Sequence, residues 1–297
     1  MTSVASNNKY RAPKTISSSM MCIHGAAHGD DISNLISMST TAIPVLNKQD
    51  EILVRVQACS LAPGDVRVLK GHCDYFQEPP GGFPYIPGGD LAGVVVQVNE
   101  TSRFKVGDSV IAMFELPRPC GGLAEYATVK EVNAEIAPTS VGPVKASCLT
   151  SSGVAALCAA KKDIRPGDRV LVVGGGGGVG SLFVQLARLY GASFVAATST
   201  DASLLQSLGV DRVVDYRKEH WWEISEFRSN PFDLILDAVG GRESWIHAVN
   251  SGVIKNGWKS GRYIAMIGDE PHMQIHDLWQ TFLFVTNLQG RCLWTAW

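Results

Sequence analysis

The segment Gly174–Gly180 carries the densest chemical signal in the chain. It closes the stretch LVVGGGGGVG (171–180), where Gly175, Gly177 and Gly180 meet the spacing G-x-G-x-x-G. Each glycine has a physical reason to be there. Gly175 permits a tight turn, Gly177 lets a backbone approach a pyrophosphate, and Gly180 lets a helix pack closely on a strand. Gly178 and Val179 complete the turn. A helix beginning here presents unpaired N–H groups and partial positive charge, which suit phosphates. A run of glycines is also the composition of a flexible linker. This run is clamped between a short apolar strand, RVLVV (169–173), and SLFVQLARLY (181–190), which has apolar residues at helical spacing. A linker has no such neighbours.

The next strand bears on which dinucleotide fits. An NAD site places Asp or Glu about 20 residues on, at the strand's end, to bind the ribose 2′-OH. Here the strand ends Ala196-Ala197-Thr198-Ser199-Thr200, with hydroxyls and no acid. Asp201 is the nearest acid and reads as the cap of the following helix. Thr198 and Ser199 tolerate a 2′-phosphate that a carboxylate would repel, and Tyr216, Arg217 and Lys218 follow the third strand, where they could flank it. NADPH is therefore expected over NADH.

The elements that position these residues fall into two styles. Up to about residue 145 the chain alternates short strands and turns: Ser18–Gly25, Glu51–Ala58, Leu91–Val98, Ser109–Phe114 and Gly122–Val129. That is the pattern of a barrel-like β domain. From residue 146 it changes. A small apolar segment with helical potential (146–160) precedes Arg169–Val173, and strands at Phe194–Ala197, Arg212–Asp215, Asp233–Asp237 and Arg262–Ile267 then alternate with helices such as Ala202–Leu208. This predicts α/β architecture, a Rossmann doubly wound parallel sheet. The expected organisation is a disordered tail over 1–17, a β domain over 18–145 and a dinucleotide-binding domain over 146–297.

Composition excludes several classes. With 297 residues, 45% hydrophobic and a formal net charge of −2, the chain has material for two cores and no electrostatic reason to bind nucleic acid. No apolar run reaches the 18 residues of a membrane span. The seven cysteines are scattered singly, without a CxxC pair or Cys/His cluster, which points to a reducing compartment. A cytoplasmic location is the simplest expectation. Lys9, Arg11 and Lys14 among serines and threonines leave a mitochondrial targeting segment as the alternative.

Taken together, Val56–Gly71 (VQACSLAPGDVRVLKG), Pro87–Val94 (PGGDLAGV), Lys105–Val110 (KVGDSV), Pro166–Gly180, Gly209–Tyr216 (GVDRVVDY) and Pro231–Gly241 (PFDLILDAVGG) resemble the medium-chain dehydrogenase/reductase superfamily. The resemblance is to its zinc-free quinone oxidoreductase (zeta-crystallin-like) branch, close to the subgroup of the mitochondrial reticulon-4-interacting protein. It runs from about residue 50 to 268. It implies a GroES-like β-barrel domain before the Rossmann domain, an active cleft between them, and NADPH-dependent reduction of a quinone or α,β-unsaturated carbonyl. A small-molecule quinone or enone is the implied partner, and a homodimer the implied assembly.

By the same resemblance, Asp65, Tyr75 and Tyr85 fall in segments that line the cleft, where they could orient substrate or donate a proton. Thr150 joins the cofactor contacts, as do Val239 and Gly240 after one strand and Ile267 at the end of the next. Zinc relatives need a Cys after the early strand and a His–Glu pair in the glycine loop. Here Cys59 lacks a nearby His, and the loop reads Gly88-Gly89-Asp90, so no metal is expected. Ala62 and Ala155 stand where the branch often has Asn and Thr, and relatives continue for several dozen residues where this chain stops at Trp297. Those departures motivate an alternative, an NADPH-binding interaction or redox-sensing protein with little catalysis, and the short end is read either as a truncated gene model or as a protein completed by an oligomeric partner. An enoyl-thioester reductase is a further candidate.

Overall fold

The computed structural model describes residues 18–71, 82–114, 120–256 and 261–266. The chain divides between Ser147 and Cys148 into two compact units.

In the first unit, β1 (Ser19–Gly25), α1 (Ile32–Leu35) and β2 (Ile36–Ala42) form a hairpin, with Ser19 opposite Ala42. The remaining elements are β3 (Glu51–Ser60), α2 (Pro63–Lys70), β4 (Asp90–Gln97), β5 (Ser109–Met113), β6 (Tyr126–Lys130), β7 (Ala134–Ile136) and the one-turn α3 (Pro143–Ser147). The five later strands make an antiparallel sheet in the order β6-β3-β4-β5-β7. Apolar residues alternate along these strands, so one face can bury Ile52, Val54, Leu91, Val95, Val110 and Ala127 together. The hairpin is stitched to the sheet by Ile23 N–H donating to Leu123 O (2.8 Å) and Glu125 N–H donating to Met21 O (3.1 Å). This is the GroES-like half of the fold.

The second unit holds α4 (Ser151–Asp163), β8 (Arg169–Val173), α5 (Gly178–Leu189), β9 (Phe194–Thr198), α6 (Ala202–Ser207), β10 (Arg212–Val214), α7 (Ser225–Ser229), β11 (Leu234–Asp237), α8 (Arg242–Asn250) and β12 (Arg262–Ala265). All pairings are parallel, in the order β10-β9-β8-β11-β12. The strands are buried on both faces, which is why RVLVV and LILD read as continuous apolar runs. Val170 and Val172 face Phe183, Val184 and Ala187 of α5, while Leu171 and Val173 face Trp221, Phe227 and Ala248. The chain leaves β8 toward β9 on one side and later adds β11 on the other. The β8/β11 boundary is thus a topological switch point, where open parallel sheets bind ligands at their carboxyl edge.

Two expectations are corrected. The helical segment over 146–160 is broken at Cys148–Thr150, so α3 closes one unit and α4 opens the next. The strand expected from Gly122 begins only at Tyr126, because the amides of Gly122 and Leu123 bond back to Gly88 and Pro87 carbonyls.

Candidate dinucleotide site

The turn after β8 is held by its own backbone and by β9. Gly174 has φ +83°, a left-handed conformation that L side chains rarely adopt. The sequence assigned the tight turn to Gly175, and the structure assigns it to Gly174. Gly175 instead packs on β9, where a Cβ would come 2.7 Å from the Ala197 Cβ. Gly180 meets its own turn, since a Cβ there would lie 2.2 Å from Gly174 O. Gly177 differs from both. Its φ is −82°, and only Gly174 O, at 3.4 Å, lies near where its Cβ would be. The backbone is open at that glycine alone among these three.

Gly177 is also the N-cap of α5, and it offers no side-chain acceptor. The first-turn amides, those of Gly178, Val179 and Gly180, therefore keep their donors for an anion. Gly178 packs beside Ser152 of α4, whose Oγ would lie 3.0 Å from an added Cβ. Thr150, at the start of α4, is buried.

The ends of the neighbouring strands converge on this turn. The buried Thr198 accepts a hydrogen bond from Gly174 N–H through Oγ1 (2.8 Å), and Thr198 O accepts from Gly175 N–H (2.9 Å). Ser199 Oγ lies where a Cβ on Gly176 would come within 2.7 Å of it. Asp201 caps α6, as the sequence indicated, accepting from Leu204 N–H (3.0 Å). That amide and the Ser203 hydroxyl hold its carboxyl below the usual range. Beyond β10, Tyr216 is exposed, and Asp215 forms ion pairs with Arg217 and Lys218, both at 3.3 Å. The Arg217 amide leads the groups that hold the Asp215 carboxyl low.

On the other side of β8, Val239 packs on Gly174, its Cγ2 lying 2.9 Å from an added Cβ. The buried Asp237 sets this turn. Its Oδ1 accepts from Val239 N–H (2.9 Å) and Gly240 N–H (2.8 Å), and its Oδ2 accepts from Tyr263 O–H (2.7 Å). Burial and the adjacent Asp237 charge push the Tyr263 phenol far up. A cavity of about 820 Å³ opens beside Gly240 and Gly241, and its wall includes His220, Trp222, Glu243 and His247. The indole of Trp222 is stacked between the two imidazoles, at 4.6 and 4.2 Å between centroids.

The fold thus brings Gly175, Gly177, Gly178, Val179, Gly180, Thr198, Ser199, Tyr216, Val239 and Gly240 to one edge of one sheet. Ile267 and Tyr75 lie outside the described residues. Asp65 and Tyr85 belong to the first unit. Asp65 Oδ2 accepts from Ala62 N–H and Oδ1 from Gly88 N–H, both at 2.9 Å, so the carboxylate ties α2 to the glycine loop. Tyr85 is fully buried, and its backbone pairs with Gly25. Sequence reasoning missed Asp237 and Tyr263. An Asp followed by Ala-Val-Gly-Gly at a strand end is the signal of an Asx turn that could have found the first.

A Cβ on Gly88 would lie 2.5 Å from Cys59 Sγ and 2.9 Å from Leu123 N, so a side chain at Gly88 itself would collide. Among the described residues no group of three or more His, Cys, Asp or Glu is arranged to hold a metal, and no helix is long and apolar enough to cross a membrane.

Two family models match the chain, "Alcohol dehydrogenase GroES-like domain" over residues 48–139 and "Zinc-binding dehydrogenase" over 178–252. A 2-methylene-furan-3-one reductase of Solanum lycopersicum is 35% identical over 224 residues, covering 72% of this chain and 56% of the relative. The NADPH-dependent alkenal/one oxidoreductase of Arabidopsis thaliana chloroplasts is 32% identical, covering 77% and 58%. The mitochondrial NAD(P)H oxidoreductase RTN4IP1 of Bos taurus is 33% identical, covering 68% and 56%. The chain therefore spans little more than half the length of these relatives. Among solved structures, the quinone oxidoreductase from Coxiella burnetii shares the fold with a TM-score of 0.71 at 22% identity, covering 92% of this chain and 89% of that one.

Proposed function

The chain belongs to the medium-chain dehydrogenase/reductase superfamily, in its quinone oxidoreductase branch, and from that premise we propose that it is a zinc-independent reductase that uses NADPH to reduce a quinone or an α,β-unsaturated carbonyl. The observation that carries this reading is the glycine turn at the switch point, with Gly177 open and the α5 amides uncapped. The names of the relatives support the acceptor class, since one reduces a 2-methylene-furan-3-one and another alkenals and alkenones.

Bound NADPH would supply the hydride. The chain's own residues hold and orient. The first-turn amides of α5 receive the pyrophosphate, and Thr198 fixes Gly174 so that the turn keeps its shape without a ligand. Thr198 and Ser199 each accept a backbone hydrogen bond and retain an O–H to donate. Tyr216, Arg217 and Lys218 flank the 2′-phosphate. Asp237 fixes the Val239–Gly240 turn against Gly174 from the other side. Asp65 and Tyr85 act by shaping the loops around Gly88 and Gly25. The reading takes no step through a metal, and what supports this is the Gly88-Gly89-Asp90 loop beside Cys59, which offers no His.

Thermal unfolding of the full chain with each dinucleotide tests the cofactor reading. NADPH at a hundred times its dissociation constant adds about 2.7 kcal/mol. A larger shift with NADH than with NADPH at equal concentration would overturn the preference.

A further inference from the structure

The turn after β11 is anchored by a relay of hydrogen bonds that begins two elements away. Ser244, in the first turn of α8, donates its hydroxyl to the Tyr263 phenol oxygen. Tyr263, on β12, donates in turn to Asp237 Oδ2 (2.7 Å), and Asp237 Oδ1 accepts from Val239 N–H and Gly240 N–H (2.9 and 2.8 Å). Trp245 meets the phenol ring edge-on, with 5.1 Å between centroids. The Asp237 carboxyl is buried at the end of β11. Rotation about the bond to a carboxyl group is soft, so two amides on one oxygen do not by themselves fix its plane. The phenol on the second oxygen does. Burial and the Asp237 charge push that phenol far up, so it remains a donor in neutral solution.

What the relay fixes faces the ligand edge of the sheet. Gly240 and Gly241 have φ of +85° and +110°, so this turn is built from permissive backbone and needs an outside anchor. Val239 packs on Gly174 at one side and is otherwise 61% exposed. In the strand order β10-β9-β8-β11-β12, the groups that suit a 2′-phosphate follow β9 and β10. With the pyrophosphate on α5 after β8, the nicotinamide half runs the other way, over β11 and β12. The Val239–Gly240 turn lies on that side.

We propose that Tyr263 is a positioning residue for the nicotinamide half of the cofactor, acting through Asp237 on the Val239–Gly240 turn. This rests on the reading that the Gly174–Gly180 turn binds a nicotinamide dinucleotide. The role separates from stability. A fold loosened elsewhere on β12 treats every part of the dinucleotide alike, whereas a turn that has lost its anchor weakens only the half it touches. NADPH and 2′-phospho-ADP-ribose, which is NADPH without its nicotinamide, differ in that half alone.

The test is calorimetric titration of the full chain with NADPH and with 2′-phospho-ADP-ribose, for the parent, Tyr263→Phe, Ser244→Ala and Ile264→Val, with unfolding midpoints measured alongside. Tyr263→Phe is expected to raise the NADPH dissociation constant about fivefold, about 1 kcal/mol at 1.4 kcal/mol per decade, and to leave that of the fragment unchanged. Ser244→Ala keeps the phenol but loses the donor behind it. It should shift the ratio of the two constants the same way by a smaller factor, and it decides the matter if Tyr263→Phe does not fold. Ile264→Val trims the neighbouring β12 side chain, which packs in the core on the α5 side of the sheet, and should lower the midpoint without moving the ratio. An unmoved ratio in both Tyr263→Phe and Ser244→Ala, or one that moves as far in Ile264→Val, would overturn the role of Tyr263 alone. So would a parent that binds the two ligands equally. A parent that binds neither overturns the dinucleotide reading and this inference with it.

Discussion

Alanine at Gly177 and at Gly180 should do opposite things, and the contrast follows from what each added methyl meets. At Gly180 it would lie 2.2 Å from Gly174 O and 2.9 Å from Gly174 C and Gly175 Cα. All three atoms are backbone, so the turn itself must move. Overpacking of this kind costs about 1–3 kcal/mol, and the better helix propensity of alanine returns at most about 1. A net loss of about 1–2 kcal/mol lowers the midpoint by about 2–8 °C at this chain size. At Gly177 the backbone is in a region open to any residue, and the nearest atom is at ordinary contact distance. Replacing a glycine N-cap by alanine costs about 0.5–1 kcal/mol, and the stiffer unfolded chain returns about 0.4–1, so the ligand-free protein should be unchanged within about 0.5 kcal/mol. The methyl then occupies the space a pyrophosphate needs. The parent should gain about 2.7 kcal/mol at a hundred times the NADPH dissociation constant, and Gly177→Ala almost none of it. Differential scanning calorimetry with and without NADPH reads both effects. A Gly177→Ala protein with the full ligand shift, or a Gly180→Ala protein as stable as the parent, would refute the reasoning.

Other perturbations follow from the same contacts. Thr198→Val removes the acceptor for Gly174 N–H at a buried position and should cost about 1–3 kcal/mol in urea denaturation. Tyr263→Phe deletes a 2.7 Å bond to the buried Asp237. Hydrogen exchange at Val239 and Gly240 should speed up there, with an unfolding cost of about 1–3 kcal/mol. Arg262→Ala strands Asp168, its nearly buried partner at 2.8 Å, and a loss of about 3–5 kcal/mol is expected in the same assay. For Asp233, burial raises the carboxyl pKa, but the Arg169 amide and the Lys255 ammonium outweigh it and hold the carboxyl below its ordinary value. A depressed folded value means stability that is present above about pH 3.9 and lost as pH falls through the folded value. Asp233→Asn should flatten that acid limb of the stability profile.

The second unit was the more legible because its chemistry is local. RVLVV, the glycines and SLFVQLARLY are contiguous, and strand, turn and helix each carry their own period. Asp201 could be read as a cap from its place before Ala202 for the same reason. The Asp237–Tyr263 bond could not, since it joins two strands 26 residues apart and exists only once β12 pairs with β11. Nor could the pairing of Arg217 and Lys218 with Asp215, which joins the two candidate phosphate ligands to an acid. In the first unit β2 (ISMSTTA) escaped notice because five of its seven residues are exposed and none is buried, so no alternation marks it. The helix α2 was legible in principle, with Pro63 at its start and Gly71 in the left-handed conformation after its end. Asp65, a candidate for chemistry, sits in that helix's first turn.

The central claim is hydride transfer from NADPH to a conjugated carbonyl or quinone without a metal. The most direct test incubates the 297-residue chain with NADPH and a panel of simple quinones and enals, with and without a strong zinc chelator, and follows both reactants. The predicted result is loss of NADPH and acceptor mole for mole, at a rate the chelator leaves unchanged. Binding of NADPH with no acceptor consumed across the panel, or turnover abolished by chelation and restored by zinc, would contradict it.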